Sequence, residues 1–267
     1  MKLQVLHETR YRYALPIRRS IQMLRMTPAT TPGQQVHHWQ LNVPGKATAW
    51  TDAYGNLCHC LVLEQPTQDI VITAQGEVSL TAHEASDLEG AVPPTVFLKT
   101  TALTAMDPAL RAFVEPFQKT VKSRPYMGLH DLMLALLERM PYQTGVTYVG
   151  DTAAQAFAKG HGVCQDHTHV FLACVRHLGI PARYVSGYLH APALPQVASH
   201  AWAEAWVGSR WVGFDVSNAT DAEQGHVRLA HGLDYDEASP VRGVRVGGGE
   251  ETLTGFAKVE SNASFQQ

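Results

Sequence analysis

The chain reads His161-Gly162-Val163-Cys164-Gln165-Asp166 at the point where we predict that a helix begins. The apolar positions of this helix fall largely on one side, and they are Val170, Phe171, Cys174, Val175 and Leu178. Gly179 suits the position just past a helix end, and Pro181 prevents any continuation. Cys164 therefore lies at the positive end of the helix dipole, where the thiolate is favoured over the thiol. This position makes it a candidate nucleophile.

Three strand-like segments follow the helix, over residues 182–190, 200–207 and 210–216. Small and large residues alternate in the second of them, which is typical of a strand with two different faces. A helix followed by consecutive strands predicts an α+β region, in which the helix that carries the cysteine packs on an antiparallel sheet.

Gly208-Ser209 separates the last two strands by two residues, which suits a β-hairpin. Placing Val207 opposite Arg210 puts His200 and Asp215 on one face as diagonal neighbours, roughly 7–8 Å apart at the backbone. Side chains can meet across that distance. A three-residue loop would move Asp215 to the other face of the sheet.

Cys164, His200 and Asp215 together have the chemistry of an acyl-transfer triad. His200 would pair with the Cys164 thiolate and then donate its proton to a leaving amine. Asp215 would fix the tautomer of the imidazole and stabilise its charged form.

An oxyanion that develops during acyl transfer needs hydrogen-bond donors close to the nucleophile. The backbone N–H of Cys164 is one candidate, since it lies at a helix start. Tyr142 and Gln143, which precede the cysteine segment, are our candidates for a second donor. Trp202 lies next to the catalytic face, and it could line a substrate cleft or fill the core of the sheet.

Composition and charge exclude several other classes of protein. The 267 residues are 45% hydrophobic and 17% charged with a net charge of −3, so we expect no nucleic-acid partner. No apolar run is long enough for a membrane span, and the N-terminus turns polar too early for a secretory signal. Cys58, Cys60 and Cys174 lack the paired spacing of a zinc site, and we interpret them as core residues of a cytoplasmic protein without a cofactor.

Residues 1–84 are rich in β-branched and aromatic residues, which predicts a small antiparallel β domain. We expect four strands there, over residues 3–14, 36–43, 58–63 and 70–82. Residues 85–99 read as a linker, residues 100–240 as a catalytic core, and residues 241–267 as a C-terminal strand and tail.

Four segments resemble the core of the transglutaminase-like superfamily. They are Gly162-Val163-Cys164-Gln165-Asp166, Leu178-Gly179-Ile180-Pro181-Ala182-Arg183-Tyr184-Val185-Ser186-Gly187-Tyr188, Ser199-His200-Ala201-Trp202 and Trp211-Val212-Gly213-Phe214-Asp215. The resemblance is greatest to bacterial members described as candidate cysteine proteases. It implies a transglutaminase-like, papain-like core, and it places the catalytic Cys, His and Asp of that family on Cys164, His200 and Asp215.

The resemblance also extends beyond this core. His7-Glu8-Thr9-Arg10-Tyr11-Arg12-Tyr13 and Asp52-Ala53-Tyr54-Gly55-Asn56 are similar to the β-rich region that precedes the core in bacterial members. The segments Gly232-Leu233-Asp234-Tyr235-Asp236 and Pro240-Val241-Arg242-Gly243 are similar to the end of these proteins. The resemblance therefore covers nearly the whole chain.

Two segments depart from the family pattern. Asp215-Val216-Ser217 stands where Asp-Pro-Thr is usual, and His167-Thr168-His169 stands where an aromatic and a small residue usually follow Gln-Asp. With His161 and Cys164, these histidines could be read as metal ligands. Because residues two apart on a helix do not face each other, we interpret His161, His167 and His169 as solvent-facing or supporting residues and expect no metal.

The leading hypothesis is a cysteine-dependent amidase or peptidase that forms an acyl-enzyme on Cys164 and hydrolyses it, with a peptide or protein as substrate. True glutamine transamidation, in which an amine replaces water, uses the same acyl-enzyme. A catalytically silent binding or scaffold module is the non-enzymatic alternative. The intact triad argues against it, because a binding module needs none of the three side chains.

Overall fold

The computed structural model describes residues 1–81, 92–191, 199–222 and 225–261, which form two antiparallel sheets and a group of helices. The fold is α+β, as the sequence predicts. Among the described residues, no helix has the length and apolar character needed to cross a membrane.

The elements follow one another in an order that alternates between β-rich and helical parts of the chain. In chain order the strands are β1 (Lys2–Leu24), β2 (Gln34–Asn42), β3 (Ala47–Thr51), β4 (Leu57–Leu63), β5 (Thr67–Leu80), β6 (Ala182–Leu189), β7 (His200–Val207), β8 (Arg210–Asp215), β9 (Thr220–Asp221), β10 (His226–Gly232), β11 (Val241–Gly247) and β12 (Glu251–Ser261). The helices are α1 (Pro108–Val114), α2 (Gln118–Ser123), α3 (Pro125–Arg139), α4 (Ala153–Lys159), α5 (Cys164–His177) and α6 (Tyr235–Ala238).

Sheet 1 is built around β1, which runs ten residues beyond the predicted end at residue 14. The first half of β1 lies between β5 and β12, and its second half lies between β4 and β11. Pro16 separates the halves, because it has no N–H to donate and the pairing registers shift next to it. The prediction missed β3 and β11, and both of them are paired strands at the sides of this sheet.

Sheet 2 has the order β10-β6-β7-β8-β9, and α5 packs on β6 and β7. The helix and the sheet share one hydrophobic core, to which α5 contributes a continuous run of buried residues. Burial of this surface is the main favourable free energy available to the fold. The predicted arrangement, a cysteine helix on an antiparallel sheet, is confirmed.

The β7–β8 hairpin has the predicted register, with Val207 opposite Arg210 and Trp206 opposite Trp211. Gly208 and Ser209 both have positive φ, at 59° and 65°, as a two-residue type I′ turn requires. The two-residue loop therefore places the two ends of the hairpin, where the triad residues lie, on one face.

Two amide side chains of the N-terminal region join the sheets at β10, the edge strand of sheet 2. Gln34 accepts a hydrogen bond from the backbone N–H of Arg228 (2.8 Å) and donates to its carbonyl (2.9 Å). Asn56 accepts from the N–H of His231 (2.9 Å) and donates to its carbonyl (2.8 Å). These pairs satisfy backbone groups that an edge strand otherwise leaves unpaired. The Asp52–Asn56 turn is thus a docking element as well as a turn.

We expect Asn56→Ala to destabilise the protein by about 2–3 kcal/mol, since it leaves the buried N–H and C=O of His231 without partners. Urea unfolding at pH 7 measures the loss. Gln40→Ala is the matched control, because Gln40 is an exposed amide that contacts only other side chains. Equal effects of the two substitutions would contradict a docking role for Asn56.

Several histidines are buried in neutral form. Burial lowers the pKa of His7 to about 4 and that of His169 to about 3. The pKa of His231 is also lowered, first by burial and then by the charges of Arg183 and Arg228. Each of these groups takes up a proton more readily in the unfolded chain, so acid favours unfolding.

The free energy of unfolding should therefore decrease, and the protein become less stable, as the pH falls from about 6.5 to about 4. Near pH 5 the unfolded chain binds about two more protons at His7 and His169 than the folded protein does, which corresponds to about 2.7 kcal/mol per pH unit, and the lowered pKa of His231 makes the slope steeper. Urea titrations at pH 5, 6 and 7 measure this slope. His7→Gln should reduce it by about one proton, and an unchanged slope would show that His7 already titrates normally in the folded protein.

Candidate active site

Cys164 is the first residue of α5, and Asp166 holds the backbone in front of it. The Asp166 carboxylate accepts hydrogen bonds from the N–H of Val163 (2.9 Å) and from the hydroxyl of Thr147 (2.7 Å). A Cβ at Gly162 would lie 2.7 Å from the Cβ of Asp166, so only glycine fits there. Asp166 thus stabilises the start of α5.

His200 begins β7, Asp215 ends β8, and the two side chains form a short hydrogen bond. Nε2 of His200 lies 2.7 Å from Oδ2 of Asp215, and the carboxylate is fully buried. An ionised carboxylate only accepts, so Nε2 carries the proton. Nδ1 is then the ring nitrogen left for Cys164, which is half-buried and close enough to His200 to raise its pKa.

The charges of this group favour an imidazolium. Burial alone would lower the pKa of His200, but hydrogen bonds to Asp215 and Cys164 and their negative charges raise it to about 10. Burial would raise the pKa of Asp215, yet hydrogen bonds from His200 and His226 hold it well below its usual range. At neutral pH the buried pair is therefore a carboxylate and an imidazolium.

The structure adds two residues that the sequence analysis missed. Nε2 of His226 lies 2.9 Å from Oδ2 of Asp215, and Nδ2 of Asn218 lies 2.7 Å from the same oxygen. The backbone N–H of Asn218 also donates to Oδ1 of Asp215 at 3.3 Å. Asn218 could have been found from its position three residues after Asp215, a common capping distance. His226 gave no local signal, because only the pairing of β10 with β6 brings it near the site.

The two departures from the family pattern lie against each other. Nδ1 of His167 is 2.8 Å from the hydroxyl of Ser217, and Nε2 of His167 is 2.8 Å from the carbonyl of Met140. Burial is the largest influence on the pKa of His167 and lowers it. His167 and the strongly buried His169 are thus neutral and add no positive charge beside Cys164. Of the two predicted alternatives, solvent-facing or supporting, His167 and His169 fit the second, because both are fully buried and hydrogen-bonded.

The candidate oxyanion and cleft residues lie at different depths. Tyr142 is half exposed, and its pKa is raised by burial and then by the charge of Cys164, which places the phenol near the thiol. The backbone N–H of Gln143 donates to the carbonyl of Gly162 (2.8 Å), so only its side chain could serve as a donor. Trp202 is buried, stacks on His200 and contacts the edge of His226.

A metal site made from the helix histidines has no geometric support in the described part of the chain. There, the group of metal-binding side chains close enough to share an ion is His200, Asp215 and His226, whose donor atoms lie within 4.8 Å of one another. Cys164, His161, His167 and His169 do not belong to it. The short hydrogen bonds of Asp215 account for this cluster without an ion.

We expect His226→Phe to lower the free energy of unfolding by about 1.5–3 kcal/mol, since the ring still packs against Trp202 but the buried carboxylate of Asp215 loses a donor. His226→Gln, which keeps an N–H donor, should lose less. The measurement is urea unfolding at pH 7. His177→Phe changes an exposed histidine and should stay within about 0.5 kcal/mol. A Gln variant as unstable as the Phe variant would contradict the importance of the hydrogen bond.

The chain is similar to known proteins over most of its length. Residues 3–79 match the family model of the bacterial transglutaminase-like N-terminal region, and residues 112–216 match that of the transglutaminase-like superfamily. The chain is 27% identical to the uncharacterized protein ML0607 of Mycobacterium leprae, over 94% of this chain and 96% of that protein. It is 25% identical to the uncharacterized protein Rv2569c of Mycobacterium tuberculosis, over 91% and 87%.

The fold is also similar to a solved structure. A candidate cysteine protease from Cytophaga hutchinsonii superposes with a TM-score of 0.73, at 20% identity, over 98% of this chain and 91% of that one. At this identity the likeness concerns the fold alone. The two family matches lead to one conclusion: residues 112–216 belong to the transglutaminase-like superfamily, and residues 3–79 form the bacterial transglutaminase-like N-terminal region ahead of that core.

Proposed function

We propose that the protein is a cysteine enzyme that hydrolyses amide bonds of a peptide or protein, with Cys164, His200 and Asp215 as its triad. The observation that carries the proposal is the continuous set of contacts from Cys164 through His200 to the buried Asp215 carboxylate. The match to the transglutaminase-like superfamily supports this proposal, because the resemblance places that family's catalytic Cys, His and Asp on these three residues.

Acylation begins from a Cys164 thiolate beside a His200 imidazolium. The sulfur attacks the amide carbonyl carbon, a C–S bond forms, and the carbonyl π electrons move to oxygen. When the C–N bond breaks, the leaving nitrogen takes its electron pair and the proton of His200 Nδ1, and departs as an amine. The products of this half-reaction are a thioester on Cys164 and a neutral imidazole.

Deacylation reverses these roles. Neutral His200 accepts a proton from water as the water oxygen attacks the thioester carbon. The C–S bond then breaks, the acid is released, and sulfur leaves as the thiolate. The imidazolium that forms beside it restores the starting pair.

Asp215 orients His200 during both steps, because Nε2 is fixed by its hydrogen bond and Nδ1 must then face the sulfur. Asn218 and His226 fix Asp215 in turn. They act as positioning residues for the Asp215–His200 pair, because both donate to the carboxylate and Nδ2 of Asn218 also lies 3.5 Å from Nε2 of His200.

The oxyanion would be stabilised by the backbone N–H of Cys164, because the first N–H groups of a helix have no partner within the helix. We propose Tyr142 or the side chain of Gln143 for the second donor, since the phenol of Tyr142 is close enough to sense the charge of Cys164. Trp202 would support the ring of His200 from beside the site.

We also propose that the protein acts in the cytoplasm. All four cysteines are free, which suits a reducing compartment, and Cys58 and Cys174 are fully buried as core residues. The proposed substrate is a peptide or protein, with neither a nucleic acid nor a membrane as a partner.

The test is a product analysis with glutamine-containing synthetic peptides in the presence of excess primary amine, followed by mass spectrometry. Hydrolysis predicts new carboxylic acids with little amine adduct. Asp215→Asn should reduce the rate by about 10²–10⁴-fold, because the imidazolium loses its charged partner.

Cys164→Ala is the control: it should abolish the reaction and leave the melting temperature unchanged. Dominant amine adducts would favour transamidation over hydrolysis. Loss of folding in Cys164→Ala, or equal turnover with and without the cysteine, would contradict the proposed nucleophile.

A further inference from the structure

A cavity of about 180 Å³ lies where sheet 1 meets the candidate active site. Its walls come from β1, β12 and the start of β11 in sheet 1, from α6, and from the residue in front of β7. The lining residues that matter here are Tyr11, Ser199, Tyr235, Val241, Leu253 and Phe256.

The cavity is next to the triad on two sides. Ser199 directly precedes His200 in the chain. Tyr235, which lines the cavity, and Cys164 both pack against the hydrophobic core that α5 shares with sheet 2. The backbone N–H of Tyr235 donates to Nε2 of His169, which belongs to the same helix as Cys164 (3.2 Å).

The space exists because a glycine occupies an inward-facing position of β12. His7, Thr9 and Tyr11 of β1 pair with Ala257, Gly255 and Leu253 and share one face with them. A Cβ at Gly255 would meet the carbonyl of Glu8 at 3.4 Å and Oγ1 of Thr9 at 3.8 Å, which are ordinary contacts. Neither the backbone nor close packing requires glycine here, and its effect is to leave room.

The lining carries no charge at neutral pH. Burial lowers the pKa of His7 to about 4, and both of its ring nitrogens are engaged, Nδ1 by the Tyr188 hydroxyl (2.8 Å) and Nε2 by the Thr9 hydroxyl (2.9 Å). Burial raises the pKa values of Tyr11 and Tyr235, so both phenols stay neutral. The other wall residues are apolar or hydroxylated. A charged side chain would lose part of its hydration there and find no oppositely charged lining residue.

The volume fits one apolar side chain. A cavity of about 150 Å³ in a protein core is large enough to bind benzene. At about 180 Å³, this one holds a phenyl ring or a branched aliphatic group.

We propose that this cavity is the subsite for an apolar, preferably aromatic, side chain of the peptide that reaches Cys164. The proposal rests on the proposed function for its substrate class. It gives sheet 1 a part in substrate binding, because β1 and the C-terminal β12 supply most of the wall.

The test fills the cavity and measures binding without catalysis. In a Cys164→Ala background, the affinity for N-acetyl-phenylalanine methylamide is measured by NMR titration and compared with that for N-acetyl-glutamate methylamide. The phenylalanine compound should bind more tightly, and Gly255→Leu should weaken its binding by about ten-fold or more, because the leucine occupies the same space. Thr254→Leu, at an exposed position of β12 that does not line the cavity, is the matched control and should leave the affinity unchanged.

Gly255→Ala provides a smaller obstruction if the leucine variant fails to fold, and it should weaken the same binding to a lesser degree. Tight binding of the glutamate compound, or phenylalanine binding that survives both Gly255 variants, would overturn the proposal. A second measurement, hydrolysis of a peptide mixture by the protein with Cys164 intact, tests the proposed function independently of the subsite proposal. If the protein with Cys164 intact hydrolyses no peptide, the proposed hydrolase activity is refuted. If binding is nevertheless selective for the aromatic compound and is abolished by Gly255→Leu, the subsite proposal still holds.

Discussion

The buried carboxylate of Asp215 is the group on which the site depends. Removing an ionised carboxylate from water costs several kcal/mol unless donors replace its hydration. Here His200, His226 and Asn218 all donate to one oxygen of Asp215, and the backbone N–H of Asn218 donates to the other. Charge-assisted hydrogen bonds of this kind are stronger than neutral ones. They fix the end of β8, the start of β7 and the start of β10 at a single point.

The N-terminal sheet takes part in this arrangement through β10. Gln34 and Asn56 bind both backbone groups of Arg228 and of His231, which are residues of the strand that begins with His226. A continuous series of hydrogen bonds therefore connects the N-terminal region to β10, β10 to Asp215 through His226, and Asp215 to the imidazole ring of His200. The Asp52–Asn56 turn contributes to site geometry from a distance, and the C-terminal strands close the same sheet around β1.

The sequence was enough to predict the positions of those site residues that depend only on a helix start or on the register of one hairpin. The first turn of α5 and the two-residue β7–β8 loop place Cys164, His200 and Asp215 by helix-start chemistry and strand register, and both rules operate within a few residues. His226 and the length of β1 could not be predicted in this way, since they depend on pairing between distant segments. The two departures at His167 and Ser217 became intelligible only when the structure placed their side chains in contact. Which donor completes the oxyanion site remains a prediction, with Tyr142 and Gln143 as the candidates.

The central claim is that Cys164 and His200 form a thiolate–imidazolium pair. Its most direct test is the rate at which iodoacetamide alkylates each cysteine of the native protein between pH 5 and 9, read by mass spectrometry and repeated with His200→Ala. We expect Cys164 to react fastest, its rate to stay high well below pH 8, and the loss of His200 to slow it about ten-fold or more near pH 6. A Cys164 rate that rises only near pH 8.5, as for a free thiol, and is the same with and without His200 would contradict it.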